Sequence, residues 1–309
     1  MKVLVLGDAN TDLVFKVLSD KTISQPKLYP GGTAANTAAG LATLGKKVKF
    51  VGAIGNDYNG DFIKENFKSL GISTETLFTL EGHPTANVIA LVDADGERHI
   101  SVYPPCDAAH SLLSVKKINK TLFNDVGWFH TTGLSLVENK TRIATLKAID
   151  IANSMDIPVS FDLNLRLEHY DKKPQYLAAI KKAVKKSDFI LGSIEDEYLP
   201  LTSTALIDTA IERLSDGLQV FICRNGKKDC IVYEGEKKFF VPTFSTKVRD
   251  TIGAGDAFNA GFIFATLEGM TVKMATKIAC ATASINISKT GARNVPNEIE
   301  LKQFLDKRT

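Results

Sequence analysis

The 309-residue sequence lacks several features that mark specialised protein classes. Its four cysteines form no C-x-x-C pair, and its five histidines show no spacing typical of metal ligands. Disulfide scaffolds and zinc sites need such residues at regular, short intervals, so we expect four reduced thiols and no histidine metal site. The formal net charge is only +3, which does not favour a nucleic-acid partner.

Long hydrophobic runs are also absent. The first apolar stretch, VLVLG at 3–7, is interrupted at once by Asp8, whereas a membrane-spanning helix needs about 20 apolar residues. A signal peptide would also need a longer apolar segment. The stretch is therefore predicted to be a buried strand, and we expect a cytoplasmic protein without a membrane partner.

Short apolar runs alternate with longer segments of helical periodicity along most of the chain. This order is typical of an α/β fold, in which helices cover both faces of a mostly parallel sheet. Buried strands are predicted at 3–7, 48–54, 127–133, 157–162, 188–193 and 219–224. Helices are predicted at 33–44, 59–69, 138–154, 174–186, 203–215, 254–268, 271–288 and 297–306.

Two segments interrupt this alternation with extended patterns that have no helix between them, at 13–30 and 85–103. The second contains Asp95-Gly96, a strong signal for a hairpin turn. We expect these segments to form a small separate sheet that acts as a lid or an oligomer contact. The α/β core would then comprise residues 1–12, 31–84 and 104–309.

The segment RDTIGAGDAFNAGFIFATLEG at 249–269 carries the strongest functional signal. Gly253, Ala254 and Gly255 come directly before a long helical pattern. A glycine-rich turn that opens a helix directs several backbone N–H groups to one point, where the helix dipole adds positive potential. This predicts an anion site. Asp256, in the first turn, could accept the proton of a hydroxyl that attacks a bound phosphoryl group.

Two other nucleotide-binding motifs do not match. The segment lacks the third glycine of G-x-G-x-x-G and lies far from the first strand, which argues against a dinucleotide fold. The chain contains no G-x-x-x-x-G-K-[ST], which excludes a Walker A loop. A structural alternative stays open, in which Asp256 only caps its helix.

DTIGAGDAFNAGF at 250–262 resembles the C-terminal signature of the ribokinase-like (PfkB) carbohydrate kinase family, D-T-x-G-A-G-D-x-F-x-x-G. GGTAANTAAGLATLG from Gly31 and VGAIGNDYNGDF from Val51 resemble the N-terminal signature of the same family. The two signatures occur in the expected order, and the resemblance extends over essentially the whole chain. It implies a ribokinase-like fold with a mostly parallel central sheet and a small β-sheet lid. The implied activity is transfer of the γ-phosphoryl group of ATP to a hydroxyl of a sugar or a nucleoside.

The resemblance also implies roles for individual residues on the phosphate side. Asp256 would be the general base, and Gly253, Ala254 and Gly255 would form an anion hole for the transferring group. Mg²⁺ would arrive with ATP, held largely by phosphates and water. The residues implied to bind ATP are Ser193, Arg224 and Gly226.

On the acceptor side, the family pattern implies sugar-binding residues in three segments. These are GDANTD, the GGTAAN stretch and FDLNLR, and the implied residues are Asn10, Asp12, Gly31, Gly32, Asn36, Asn164 and Arg166. Asn10 and Asp12 could instead be turn-forming residues. Asp162 could be a cap at the end of its strand.

Two segments depart from the family pattern. In LGSIEDEY, Ser193 stands where asparagine is usual in an N-x-x-E segment, so Asp196 or Glu197 would supply the acid near Mg²⁺ through water. In RNGKKD, Arg224 replaces the threonine of a T-x-G-x-x-G segment and could reach ATP phosphates as a charge-assisted donor. Tyr103 is followed by two prolines rather than by a Tyr-Arg pair, which counts against ketodeoxygluconate as substrate.

An activating monovalent cation, K⁺, is a further implication. Asp250 matches the family's aspartate ligand. The other ligands, mostly backbone carbonyls, would come from Ile252, Asn286, Lys289, Gly291 and Asn294. The loop is one residue shorter than in ribokinase, and not all family members use the cation.

Three functions remain open from the sequence. A kinase of a small sugar, fructokinase-like or ribokinase-like, is favoured by DLNLR. A nucleoside kinase on the same fold is the first alternative, and a non-catalytic sugar- or nucleotide-binding regulator is the second. The intact Asp256 and Gly-Ala-Gly stretch argue against the regulator. Exposed strand edges in the lid favour a homodimer.

Overall fold

The structure is a computed structural model that describes residues 1–18, 22–93, 98–102, 106–165 and 174–308. The strands are β1 Lys2–Leu6, β2 Asn10–Lys16, β3 Lys27–Gly31, β4 Val48–Gly55, β5 Leu77–Leu80, β6 Asn87–Val92, β7 Arg98–Val102, β8 Val126–Thr132, β9 Val159–Asp162, β10 Phe189–Ser193, β11 Val220–Arg224, β12 Cys230–Glu234 and β13 Lys237–Val241. The helices are α1 Thr33–Thr43, α2 Tyr58–Ser69, α3 Asn139–Ser154, α4 Pro174–Lys185, α5 Leu199–Thr202, α6 Ile207–Leu214, α7 Ala254–Leu267, α8 Val272–Ile287 and α9 Glu298–Asp306.

The central sheet has nine strands in the order β13-β12-β11-β10-β9-β8-β1-β4-β5. The strands from β11 to β5 are parallel, and the last two at the other edge, β12 and β13, are antiparallel. Helices cover both faces, so the predicted α/β fold with a mostly parallel sheet is confirmed.

The differences from the predicted elements lie at the edges. Strands β5, β12 and β13 were not predicted; β5 has only four residues, and β13 begins with two exposed lysines. Strand β12 carries a short apolar run, CIVY, that the prediction missed. The helix predicted at 203–215 begins only at Ile207, since Ser203 adopts a left-handed conformation (φ 51°) that ends α5.

The small sheet has four strands in the order β3-β2-β6-β7. It begins at Asn10, which pairs with Gly31 at the end of β3, so residues 10–12 and 31 lie in this sheet although the sequence placed them in the core. Strand β6 pairs antiparallel with β7, as expected for the hairpin at 85–103. The turn Asp95-Gly96 lies outside the described residues. We call this sheet the lid.

Two apolar layers flank the central sheet. One contains Phe161 and Ile180 and packs under α3, α4 and α6. The other contains Leu41 and Phe262 and packs under α1, α7 and α8. All four cysteines are free, as the sequence predicted. Within the described ranges no helix is both long and apolar enough to cross a membrane.

Candidate active site

The carboxyl ends of the central parallel strands gather polar side chains at one edge of the sheet. Asp8 follows β1, while Asp162, Ser193 and Arg224 are the last residues of β9, β10 and β11. Ligands of open α/β sheets bind outside this edge. A cleft of about 1850 Å³ opens there. Because typical ligand pockets measure roughly 300–1,000 Å³, the cleft has room for two ligands side by side.

The N-terminus of α7 faces this cleft without a side-chain cap. Its N-cap residue, Gly253, has a φ of 71° and provides no side-chain cap. A Cβ atom at Gly253 would lie 2.5 Å from the backbone oxygen of Ala292, so only glycine fits this position without a shift of the backbone. Gly253, Ala254 and Gly255 all line the cleft. The predicted anion hole is thus a helix N-terminus without a side-chain cap, in which the backbone N–H of Ala254 donates to Thr251 O at 3.2 Å.

The N-terminus of α1 lines the same cleft but is occupied from within. Its N-cap residue, Gly32, has a φ of 97° and provides no side-chain bond. The Asp8 carboxylate accepts hydrogen bonds from the backbone N–H of Thr33 at 2.9 Å and of Ala34 at 3.2 Å. It also accepts the Thr33 hydroxyl at 3.0 Å. An aspartate from β1 therefore fills the position that an anion would take at this helix.

Asp256 is buried in the first turn of α7 with a residual exposure of 6%. Its Oδ2 accepts a hydrogen bond of 2.9 Å from Nδ2 of Asn36 on α1. The other end of the Asn36 amide accepts a bond of 2.8 Å from Nε of Arg293. Asn36 was predicted to touch the substrate. It lines the cleft, and it also bridges Asp256 and Arg293.

The acceptor half of the cleft is formed where the lid joins the core. Asn10 donates to Asp12 Oδ1 at 2.7 Å, and both residues line the cleft together with Gly32. A Cβ atom at Gly31 would lie 2.6 Å from Asp12 Oδ1, which explains the glycine at the end of β3. The structure thus brings Asn10, Asp12, Gly31, Gly32 and Asn36 together.

Asn164 also lines the cleft, just after β9. It is buried, has a φ of 36°, and its Oδ1 has no hydrogen-bond partner within the described residues. A buried carbonyl oxygen without a partner is unfavourable, and a ligand hydroxyl could satisfy it. Arg166, predicted beside it, lies outside the described residues.

Arg224 lies beneath the first turn of α7 in a buried network. Its Nη2 donates to Asp162 at 2.8 Å and to Glu197 at 3.2 Å, while Nη1 lies against Gly255. The two carboxylates raise the pKa of Arg224 above its ordinary value, against the effect of burial. Burial, with the nearby Asp162, raises the pKa of Glu197 to about 7.

The acidic segment after β10 separates the two acids that the sequence left as alternatives. Asp196 is exposed to the cleft and accepts the Ser193 hydroxyl at 2.8 Å. Glu197 turns inward to Arg224 and accepts the backbone N–H of Leu165 at 3.0 Å. Of the two acids, Asp196 faces the cleft and Glu197 faces the buried Arg224. Gly226, with a φ of 58°, lines the cleft nearby.

The residues predicted around a monovalent cation form one hydrogen-bonded loop. The Asp250 oxygens accept the backbone N–H of Ile252 at 3.0 Å and of Gly291 at 2.8 Å. Asn286 donates to Ile252 O at 3.1 Å, and Asn294 donates to Gly291 O. Lys289 contributes its backbone N–H to the end of α8. Each carbonyl has a second lone pair, so these oxygens can still accept a cation.

Several cleft residues were not predicted from the sequence. Glu195 lies beside Asp196, His110 lies near Asp8, and the loop 243–248 forms one wall. Burial lowers the pKa of His110, and its Nδ1 has no partner within the described residues.

Arg293 was not predicted either. Its sequence signal was weak, a single arginine in the loop that follows α8.

A family model described as pfkB family carbohydrate kinase matches residues 1–300, and the chain belongs to this family. It is 27% identical over 287 residues to 5-dehydro-2-deoxygluconokinase of Clostridium botulinum (strain Eklund 17B / Type B), covering 90% of this chain and 84% of the relative. It is 29% identical over 271 residues to fructokinase-2 of Solanum lycopersicum, covering 85% and 82%. Fructokinase with bound ATP from Xylella fastidiosa superposes with a TM-score of 0.89 at 25% identity, covering 99% of this chain and 98% of that one.

These findings confirm the resemblance that the two signatures carry. The chain is a carbohydrate kinase, and kinases of this family use ATP and a divalent metal.

Proposed function

We propose that this protein transfers the γ-phosphoryl group of ATP to a hydroxyl of a small sugar, with Asp256 as the general base. One observation carries the proposal: an uncapped helix N-terminus and a buried carboxylate in its first turn face a cleft with room for two ligands. A carboxylate beside an anion site fits a base better than a simple anion-binding site, because the like charges repel.

The reaction needs one bond made, one broken and one proton moved. The acceptor oxygen attacks the γ-phosphorus while the bond to the bridging oxygen of ADP breaks, and Asp256 takes the proton of the acceptor hydroxyl. Backbone N–H groups at Gly253, Ala254 and Gly255 stabilise the charge on the transferring oxygens. Asp196 and Ser193 would hold the water shell of a Mg²⁺ ion that arrives with ATP, and this ion would neutralise phosphate charge.

Arg224 supports the phosphate end. With Asp162 and Glu197 it forms a buried network under Gly255. Because Glu197 is about half protonated near pH 7, the network carries little negative charge beside the phosphates. Arg224 lines the cleft, where its guanidinium could donate a charge-assisted hydrogen bond to an ATP phosphate.

The acceptor would lie among Asn10, Asp12 and Asn164. Carboxylate and amide groups at the end of a parallel sheet bind sugar hydroxyls in pairs. The relatives named as fructokinase and 5-dehydro-2-deoxygluconokinase suggest a keto sugar. K⁺ at the Asp250 loop stays a prediction, as does a cytoplasmic location.

A substrate panel tests the proposal. ADP release is measured with ATP, Mg²⁺ and D-fructose, D-ribose, 5-dehydro-2-deoxy-D-gluconate or adenosine, against ATP alone. We expect at least one sugar to raise ADP release more than 100-fold. A response to adenosine alone would make the protein a nucleoside kinase. Tight ATP binding by calorimetry without turnover on any acceptor would support the non-catalytic regulator.

We also propose a homodimer formed through the lid. Leu18 and Ile23, between β2 and β3, and Val102, at the end of β7, expose apolar side chains, and β3 and β7 are the edge strands of the lid. Exposed strand edges with apolar groups are usually covered by a partner. Light scattering at micromolar concentration should give twice the mass of one chain, and Ile23→Lys should shift it toward the monomer.

A further inference from the structure

Arg293 connects three parts of the molecule from the loop that follows α8. Its Nε donates to Asn36 Oδ1 at 2.8 Å, its Nη2 donates to the backbone oxygen of Gly31 at 3.2 Å, and its Nη1 donates to Asn66 on α2. The guanidinium also lies 6.0 Å from the ring centroid of Phe67. A guanidinium has five donors in a fixed plane, and here that plane has protein partners on three sides.

Within the described residues Arg293 forms no direct ion pair. The carboxylates that favour its charged form lie further away. Burial lowers its pKa to about 10, while Asp12, Asp256 and Asp8 act in the opposite direction. Arg293 therefore remains charged at neutral pH. It adds positive potential where three carboxylates converge.

We propose that Arg293 is a positioning residue that fixes the Asn36 amide, and through it the Asp256 carboxylate, and ties both to the end of the lid. The proposal rests on the proposed role of Asp256 as the base. Arg293 does not line the cleft, so it acts through Asn36 rather than on the substrate.

The two ends of the Asn36 side chain have different partners, Asp256 at the nitrogen and Arg293 at the oxygen. An asparagine amide has an acceptor oxygen and a donor nitrogen, and Arg293 has only donors. Because Arg293 contacts the oxygen, the nitrogen must face Asp256, as the 2.9 Å bond shows. A rotated amide would set its oxygen against the carboxylate and its NH₂ against the guanidinium, and both contacts would be repulsive. Without Arg293, this selection is lost.

The interposed amide keeps the guanidinium from pairing directly with the Asp256 carboxylate. A direct Arg–carboxylate pair is commonly bidentate and would hold both carboxylate oxygens. The Asn36 amide donates to Oδ2 alone. Arg293 thus supplies orientation and positive potential to the base without a bidentate ion pair.

The bond to Gly31 links this system to the lid. Gly31 is the last residue of β3, and Gly32, the N-cap of α1, follows it. A displacement of the lid at this point would move the oxygen that Arg293 holds. The same guanidinium would transmit that displacement to Asn36, so lid position and base orientation are coupled.

Two variants test the proposal, with Asn66→Ala as the matched control. Arg293→Met removes the guanidinium, whereas Asn66→Ala removes one of its partners and leaves the bond to Asn36. The first readout is the ¹⁵N–¹H side-chain amide signal of Asn36 in the ligand-free protein, identified by its loss in Asn36→Ala. We expect this signal to shift and to exchange with water at least 10-fold faster in Arg293→Met, and to stay unchanged in Asn66→Ala.

The second readout is turnover with the panel sugar that gives the fastest ADP release. Arg293→Met should lower kcat about 10- to 100-fold with the KM for ATP within twofold, and the Arg293→Met/Asn36→Ala double variant should lose no more than Asn36→Ala alone. Arg293→Lys, which keeps the charge without the planar fork, should stay defective in kcat. If Arg293→Met does not fold, the same measurements on Arg293→Lys test the proposal.

Three results would overturn the inference: an unchanged Asn36 signal in Arg293→Met, the same losses in Asn66→Ala, or additive losses in the double variant. If Asp256→Asn retains turnover, the role of Asp256 fails separately, and the amide signal still reports whether Arg293 fixes Asn36. If no panel sugar reacts, the side-chain amide signal of Asn36 alone shows whether Arg293 fixes the Asn36 side chain.

Discussion

Helices α1 and α7 begin alike and meet the same cleft, but they differ in what lies at their N-termini. Each has an N-cap glycine with positive φ and no cap from its own segment. Asp8 reaches the first turn of α1 from the end of β1, whereas the first turn of α7 is open to the cleft. A glycine-rich helix start is therefore only a potential anion site. The residue that another strand supplies determines whether it remains available.

The largest expected effect concerns Asp256, which distinguishes the first turn of α7 from that of α1. Asp256→Asn keeps the side-chain shape but cannot accept a proton, so we expect kcat to fall by about 10²- to 10⁴-fold. ATP affinity, measured by calorimetry, should change less than threefold. Asp61→Asn is the control, because Asp61 occupies the first turn of α2 away from the cleft. Turnover of Asp256→Asn within tenfold of the unmodified protein would contradict a base at this position.

The second prediction compares the two ends of α7. Gly253→Ala places a Cβ atom 2.5 Å from Ala292 O at a φ of 71°, so the backbone must shift. The N–H groups of the anion hole would then no longer point to one position. We expect kcat to fall at least 100-fold, the order of an oxyanion donor's contribution. Gly269→Ala also has a positive φ, 77°, but meets nothing within 4 Å. It should cost about 1 kcal/mol of stability and leave kcat unchanged. Equal kcat losses in both variants would show that backbone strain, not the anion hole, is responsible.

The sequence predicted the motifs of both helices but not the contacts that distinguish them. Gly253, Gly255 and Asp256 lie within one short segment, so their relation is local and could be inferred. The Asp8–Thr33 and Asn36–Asp256 bonds join residues that are 25 and 220 positions apart. Such contacts depend on the order of strands in the sheet, which no local pattern encodes. Arg293 lies 257 positions from Asn36 and had no local signal beyond its charge.

Some long-range relations could have been inferred from the fold class. Asp162, Ser193 and Arg224 are the last residues of three predicted strands, and parallel strands end at the same edge of a sheet. Their proximity follows from that rule. The inward orientation of Glu197, one residue after Asp196, does not. It arises because the π-helical turn Ile194–Tyr198 directs the two acids to different sides.

The third prediction converts α1 toward the open state of α7. Asp8→Ala removes the acceptor for the N–H groups of Thr33 and Ala34, and loss of a helix cap costs about 1–2 kcal/mol. Urea unfolding should show this loss without a change in the slope with denaturant. Asp8→Asn retains an acceptor oxygen and should lose less than half as much. An undiminished stability of Asp8→Ala would mean that water replaces the carboxylate without cost.

The last expected effect lies beneath the first turn of α7, where Arg224 forms its buried network with Asp162 and Glu197. The pKa of Glu197 is about 7 in the folded protein, against 4.5 as its ordinary value. The folded state therefore binds this proton more tightly than the unfolded state. Its contribution to stability is complete below pH 4.5 and is lost as the pH rises toward 7.

Glu197→Gln removes this titration while keeping an acceptor for Arg224. We expect the difference in unfolding free energy between Glu197→Gln and the unmodified protein to change by about 2 kcal/mol from pH 5 to pH 7.5, in favour of the variant. Burial is the largest cause of the raised pKa of Glu197, and Arg224 acts in the opposite direction by favouring the ionised form. Urea unfolding at a series of pH values measures it, and Glu195→Gln, an exposed neighbour, is the control. If the difference stays constant with pH, Glu197 does not titrate in this window, and the network under Gly255 carries a full extra negative charge at neutral pH.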